Sequence, residues 1–272
     1  MQTFSISPLQ IPRSFMLHRE LILAMTKREV IGRYRGSMMG ILWSLFNPIL
    51  MLSVYTFVFS VVFKARWSGG SESRTEFAIV LFAGLIVYGL FAECINRAPS
   101  LILANANYVK KVVFPLEILP WVALGSTLFH TAISMGVWLV FYAVTHASLH
   151  WTVLLLPLVW LPLVLFTNGL SWFLASLGVY LRDVAQTVGI FTTIMMFLSP
   201  VFFPVSSLPP EFQSLIYANP LTFFIEQTRD VLIWGRMPDW RMFGVYLVVS
   251  ALVCWLGFAW FQKTRKGFSD VL

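Results

Sequence analysis

Apolar residues in this chain come in long unbroken blocks, separated by short polar or basic segments. Blocks near 38–63, 77–95, 118–144, 152–177, 187–203 and 242–261 approach or exceed the ~20 residues that a membrane-spanning helix needs, and they predict six spans. Spanning β-strands would show alternating segments of ~10 residues, which these runs do not resemble. Two further segments are mixed. Residues 14–32 lack an internal proline and place Leu17, Leu21, Ala24, Met25 and Ile31 on one side of a helical wheel, with Arg28 intruding. Met16, Leu23 and Val30 form a second, narrower strip. This reads as an amphipathic helix at the membrane interface. Residues 204–240 are moderately apolar but interrupted. Pro209-Pro210 precede a helical stretch at 211–217, Asn219-Pro220 break it, and a second stretch at 221–234 stops at Gly235. Two short re-entrant helices fit that pattern, on condition that protein or water covers their backbone.

Composition agrees with a lipid environment. Of 272 residues, 58% are hydrophobic and 11% charged, against roughly 25% charged in a soluble domain, and mean hydropathy is +0.78. The expected fold is all-α and integral to the membrane, one transmembrane domain over 1–272. The N-terminal segment is polar and leads into basic residues, so it does not read as a secretory signal. With the N-terminus in the cytoplasm, thirteen Lys and Arg fall inside and six outside. The positive-inside rule therefore puts both termini in the cytoplasm, consistent with an even number of spans. The net charge of +7 follows from this bias and calls for no nucleic-acid partner. Cys94 and Cys254 lie in apolar blocks and read as packing residues, not as a disulfide or metal site.

Reactive chemistry is sparse. A P-loop, an HExxH, a GxSxG and a paired-acid constellation are all missing from the sequence, so no catalytic residue, resident cofactor or metal is expected. Within or bordering the blocks the ionisable groups are few: Glu93, His130 and, at the edge of the third block, Glu117. None forms the mid-membrane carboxylate pair of a proton-coupled carrier. His130 reads as a helix-packing residue, and Glu93 as a side chain reaching the inner interface. The elbow Arg33-Tyr34-Arg35 before the first span is either a topology anchor or a phosphate-binding site, since guanidinium matches phosphate oxygens in two-pronged fashion. The inside segment 96–117 is long enough to hold its own helix. Aromatic residues make up 16% of the chain, including Tyr55, Phe59, Tyr88, Trp172 and Phe173. They serve either lipid packing or the walls of a path for sugars, whose C–H faces stack on rings.

Beyond this point the chain resembles a known family. Arg33-Tyr-Arg-Gly-Ser37, Gly40-Ile-Leu-Trp43, Asn47-Pro48 and Tyr55-Thr-Phe-Val-Phe59 look like the permeases of polysaccharide ABC exporters, which serve O-antigen, teichoic acid and capsule polymers. Asn107-Tyr-Val-Lys-Lys111 with Phe114-Pro115, Tyr180-Leu-Arg-Asp183, Ser199-Pro200 and Asn219-Pro220 extend the likeness over nearly the whole chain. The resemblance implies two copies forming one tunnel in the cytoplasmic (inner) membrane, with two separate ATP-binding subunits carrying ATP and Mg. Arg33, Tyr34 and Arg35 would meet the diphosphate of an undecaprenyl-linked glycan. Asn107, Lys110, Lys111, Phe114, Pro115, Arg182 and Asp183 would couple to the ATPase. Tyr55, Phe59, Tyr88, Trp172 and Phe173 would line the tunnel, and the short outer helices would guard its exit. Rival readings are an ABC exporter of a lipid or drug and a membrane-embedded glycosyl or acyl transferase.

Overall fold

The computed structural model describes residues 5–63, 67, 75–109, 114–146 and 148–272, and they contain helices and no strand. The elements are α1 (Gln10–Leu17), α2 (Arg19–Arg33), α3 (Trp43–Tyr55), α4 (Glu76–Arg97), α5 (Ala106–Val109) and α6 (Leu119–His146). They continue with α7 (Leu156–Tyr180), α8 (Val184–Phe197), α9 (Pro210–Ala218), α10 (Pro220–Arg229), α11 (Trp240–Thr264) and α12 (Phe268–Val271). Among the described residues, five helical stretches are long and apolar enough to cross a bilayer: Gly40–Phe59, Glu76–Ser100, Leu116–His146, Trp151–Tyr180 and Trp240–Val271. The apolar helix Val184–Phe197 has 14 residues. At 1.5 Å per residue it is about 21 Å long, short of a hydrocarbon core of ~30 Å.

α4 is the central helix, covered along most of its length by α6, α7, α8 and α10. α7 and α11 form the most extensive helix pair, and the reason lies in two glycines. A Cβ on Gly257 would fall 1.9 Å from the Gly169 carbonyl oxygen, and one on Gly169 would fall 2.6 Å from the Cys254 backbone. The two backbones touch, as small residues permit in membrane helix pairs. Cys94 and Cys254 are both buried and unpaired.

The segment after α8 shows how irregular backbone survives in the interior. Asn219 accepts from the Leu221 amide (3.0 Å) as the N-cap of α10, while its side-chain amide donates to the Leu198 carbonyl (3.0 Å) and to Ser199 Oγ (2.8 Å). The Ser199-Pro200 and Asn219-Pro220 breaks are therefore one joint. Arg229, at the end of α10, is 1% exposed. It donates to the carbonyls of Val80 (3.1 Å), Pro200 (2.5 Å) and Val201 (3.1 Å), pairs with Glu226 (2.9 Å) and lies over the Trp67 ring. Gly84 makes room for it, since a Cβ there would meet Nη2 at 2.7 Å. After Arg229 the chain widens into π-helical turns, Asp230–Trp234, and ends at Gly235 with φ +63°. Thr152 donates to the Val231 carbonyl (2.6 Å) and Tyr142 to that of Ile233 (3.3 Å), which satisfies backbone groups that a widened helix leaves open.

The amphipathic segment differs from expectation. It starts earlier than residue 14 and is broken at His18 into α1 and α2. Neither wheel strip is the buried one. Leu17, Leu23 and Ile31 are exposed, whereas Ile22, Met25 and Val30 are buried against the bundle. Two contacts fix this rotation. Thr26 packs on Gly125 of α6, where a Cβ would approach its Oγ1 to 2.9 Å. Glu29 and Arg33 reach α4, as described next.

Candidate functional site

α2 and α4 run antiparallel where they meet, and each carries an acid and an arginine four residues apart. Arg33 of α2 pairs with Glu93 of α4, and Glu29 of α2 pairs with Arg97 of α4. Glu93 also lies 3.6 Å from Nη1 of Arg97, its neighbour one turn along α4. The four charges thus form a ladder in the order Glu29, Arg97, Glu93, Arg33. Arg33 is 37% exposed and Glu93 28%, so the ladder is reachable from solvent and screened accordingly.

At its Arg33 end the ladder opens into a cavity of about 450 Å³ among α2, α3, α4 and α6. Tyr34, Tyr55 and Tyr88 contribute rings, while Ser44, Asn47, Glu93, His130, Thr131 and Ser134 contribute polar groups. Pro48 lies in α3 at this wall. The Tyr34 hydroxyl is 3.3 Å from His130 Nδ1, and the two rings meet edge to face. Burial, followed more weakly by the Glu93 charge and opposed by Arg33, raises the Tyr34 hydroxyl above the usual phenol range. Tyr34 is therefore a neutral hydrogen-bonding group. Tyr88 donates to the Thr192 carbonyl of α8 (2.9 Å). His130 Nε2 is buried and has no partner among the described residues. A cavity with an arginine at its mouth, an unsatisfied histidine nitrogen and three tyrosines suits a ligand that combines anionic oxygens with a hydroxyl-rich, ring-stacking body.

A second cavity, of about 580 Å³, lies at the other end of the ladder and is lined by Arg28, Glu29, Arg33, Arg97, Ser100 and Asn105, among others. Arg33 borders both cavities. Arg28 donates to the Tyr108 hydroxyl (2.9 Å), and the Tyr108 ring stacks on Phe114 at 4.3 Å. Phe114 offers its carbonyl to Arg265 (2.9 Å), and Arg265 pairs with Glu117 (2.5 Å). Glu117 in turn faces Ser14 of α1 (3.4 Å), and its carbonyl accepts from Trp172 Nε1 (3.0 Å). The loop before α6 is thus tied to α1, α2, α7 and the end of α11.

The predicted residues distribute unevenly. Arg33, Tyr34, Tyr55 and Tyr88 converge on one cavity. Arg35 is exposed beside Gly36 at φ +88°, and its side chain makes no hydrogen bond or ion pair among the described residues. Phe59 packs on Tyr55, Phe63 and Phe77. Trp172 is fully buried between Trp121 and Phe258, while Phe173 on the same helix is exposed and packs on Trp260. Asn107, Arg182 and Asp183 are exposed, and Phe114 and Pro115 are half-buried. Lys110 and Lys111 lie outside the described residues. Sequence reasoning did not find the ladder, although Glu29/Arg33 and Glu93/Arg97 share the four-residue spacing of one helix face. Arg265 and Glu117, 148 residues apart, carried no such signal.

Comparison with known proteins places this architecture. The chain is 28% identical over 264 residues to the O-antigen export system permease protein RfbA of Myxococcus xanthus, covering 96% of this chain and 99% of that one. It is 27% identical to the RfbA protein of Klebsiella pneumoniae (93% and 95% covered) and 22% identical to the polysialic acid transport protein KpsM of Escherichia coli (93% and 96% covered). The sequence profile of the ABC-2 type transporters matches residues 20–233, well over half of the chain. This multi-pass membrane protein belongs to the ABC-2 type transporter family.

Proposed function

We propose that the chain is the membrane permease of an ATP-driven exporter that moves lipid-linked polysaccharide, foremost undecaprenyl-diphosphate-linked O-antigen, across the cytoplasmic membrane. The observation that carries this reading is the cavity at the end of α2. There Arg33 meets Tyr34, Tyr55 and Tyr88, in a chain alike over nearly its full length to O-antigen export permeases. The two parts of the cavity match the two parts of the cargo, cation and hydroxyls for the diphosphate and rings for sugar.

In this reading two copies form one path, and each engages a separate ATPase subunit that holds ATP and Mg. α8 and the turn after it make a sixth span, with α9 and α10 as re-entrant helices on the outer side and both termini in the cytoplasm. The cation load of the inner segments supports that orientation, and the buried Arg229 supports covered re-entrant backbone. The segment that carries Asn107, Lys110, Lys111, Phe114 and Pro115, together with Arg182-Asp183, would receive the ATPase stroke. The ties from this segment to Arg28 of α2 give the stroke a route to the head-group cavity. Arg33 and Arg35 receive the diphosphate, and the sugar chain then passes aromatic residues that grip weakly enough to let it slide.

Changing Arg33 and Arg35 together to Ala is expected to reduce ATP-dependent transport of a defined lipid-linked glycan in proteoliposomes at least tenfold, with the ATPase subunit still co-purifying. Undiminished transport by that variant would remove the head-group role.

A further inference from the structure

The cation assigned above to the diphosphate already has a counter-ion. Arg33 is paired with Glu93, so an arriving anion must displace a carboxylate. The same carboxylate is 3.6 Å from Nη1 of Arg97, and that nitrogen is buried with no hydrogen-bond partner among the described residues. Arg97 otherwise holds Glu29 through Nη2. Glu93 therefore stands between two guanidiniums, engaged with the one facing the cavity and short of full contact with an unsatisfied donor behind it.

We propose that Glu93 is an exchangeable counter-ion: a diphosphate captures Arg33, and the displaced carboxylate moves onto Nη1 of Arg97. This rests on the head-group reading and adds to it a specificity element and a signal. Three observations favour it. The acid and Arg97 share one face of α4 at helical spacing, so a change of side-chain rotamer suffices and no backbone need move. The pairs are about one-third exposed, so breaking one is cheap beside the charge-assisted, two-pronged bonds a diphosphate offers. The exchange also relieves a buried unsatisfied donor, which proteins seldom leave open. A weaker anion, such as a carboxylated lipid or a monoester carrying a single charge, gains less at Arg33 and leaves the resting pair in place. Because Glu29 and Arg33 are on α2 while both partners are on α4, occupancy moves one of the two ties between these helices. Arg28, one residue from Glu29, bonds Tyr108 of α5, so that shift starts beside the proposed coupling segment.

The test is equilibrium binding of farnesyl diphosphate, a soluble polyprenyl diphosphate, to the purified full-length chain in detergent. Glu93→Gln should tighten binding about twofold to fivefold, the range expected from releasing one partly exposed ion pair. Arg33→Gln should weaken it at least tenfold, and in that background Glu93→Gln should have no effect. Arg97→Gln should weaken binding severalfold when Glu93 is present and not at all when it is Gln, because only a displaced carboxylate needs Arg97. If Arg97→Gln weakens binding equally with and without Glu93, Arg97 acts as a plain positive charge and the exchange is refuted. A Glu93→Gln protein that binds no tighter refutes it too. Should Glu93→Gln not fold, Arg97→Gln decides alone, with unchanged affinity counting against the exchange. Unchanged affinity in Arg33→Gln has a separate meaning: it overturns the head-group reading itself.

Discussion

α3 and α4 are both apolar enough to span a bilayer, yet 17% of the α3 stretch is buried within the chain against 78% of α4. Hydropathy does not set this difference, since Trp240–Val271 at a mean hydropathy of 2.1, close to the 2.3 of the α4 stretch, is only 22% buried; neighbours do. α4 is enclosed by α6, α7, α8 and α10, and its Gly84 admits the Arg229 side chain. α3 touches the bundle with Ser44, Pro48 and Leu52 and leaves Leu45, Phe46, Ile49, Leu50 and Val54 exposed. Between α3 and α6 runs an open apolar groove lined by Leu45, Ile49, Phe57, Ile133 and Val140. One half of the molecule is thus a close-packed body, and the other is a loosely held wall with the tyrosine cavity behind it. A permease that must open a path needs such a division, since packed interiors resist gradual deformation.

The contrast can be broken most severely at Arg229. Replacing it with Met removes the side-chain donor from three interior carbonyls, and a loss of about 3–5 kcal/mol is expected from breaking a buried charged network. Thermal unfolding in detergent would read this as a large drop in midpoint or as loss of folded protein. A midpoint within a degree of the parent would mean that water reaches those carbonyls. Next in size is Gly257→Ala, which drives a methyl into the Gly169 carbonyl. It should cost about 1–3 kcal/mol through overpacking, visible in the same measurement. The smallest effect sharpens the comparison from the loose side. Gly136 on α6 borders the groove and has open space where a Cβ would go. Gly136→Ala should therefore be neutral or stabilising by up to about 1 kcal/mol. A destabilisation equal to that of Gly257→Ala would show that the groove is filled in the functional state.

These expectations separate what was legible in the sequence from what was not. The long helices were legible because length and hydropathy are local properties. So were the breaks at Asn219-Pro220 and Gly235, because proline lacks a donor and glycine alone takes positive φ cheaply. The elbow residues Arg33 and Tyr34 stood out for the same local reason. The facing of α2 was not legible. Its wheel offered two strips, and the choice fell to Thr26 against Gly125 and to the charge ladder with α4. Trp172 and Phe173 are adjacent in sequence, yet one is wholly buried and the other is exposed, which residue type could not tell.

The sequence by itself determined that this chain lives in lipid as a set of helices, which blocks form the long apolar ones, and which family it resembles. Those properties depend on side-chain transfer free energies and backbone sterics, which act over a few residues. Tertiary structure alone decided that Glu93 faces Arg33 and Arg97, that Arg229 closes the joint formed by two distant proline breaks, and that three tyrosines share one cavity. Pairing of this kind depends on which helix faces meet, and that is set by close approach at a few small residues and by buried charges seeking partners far along the chain.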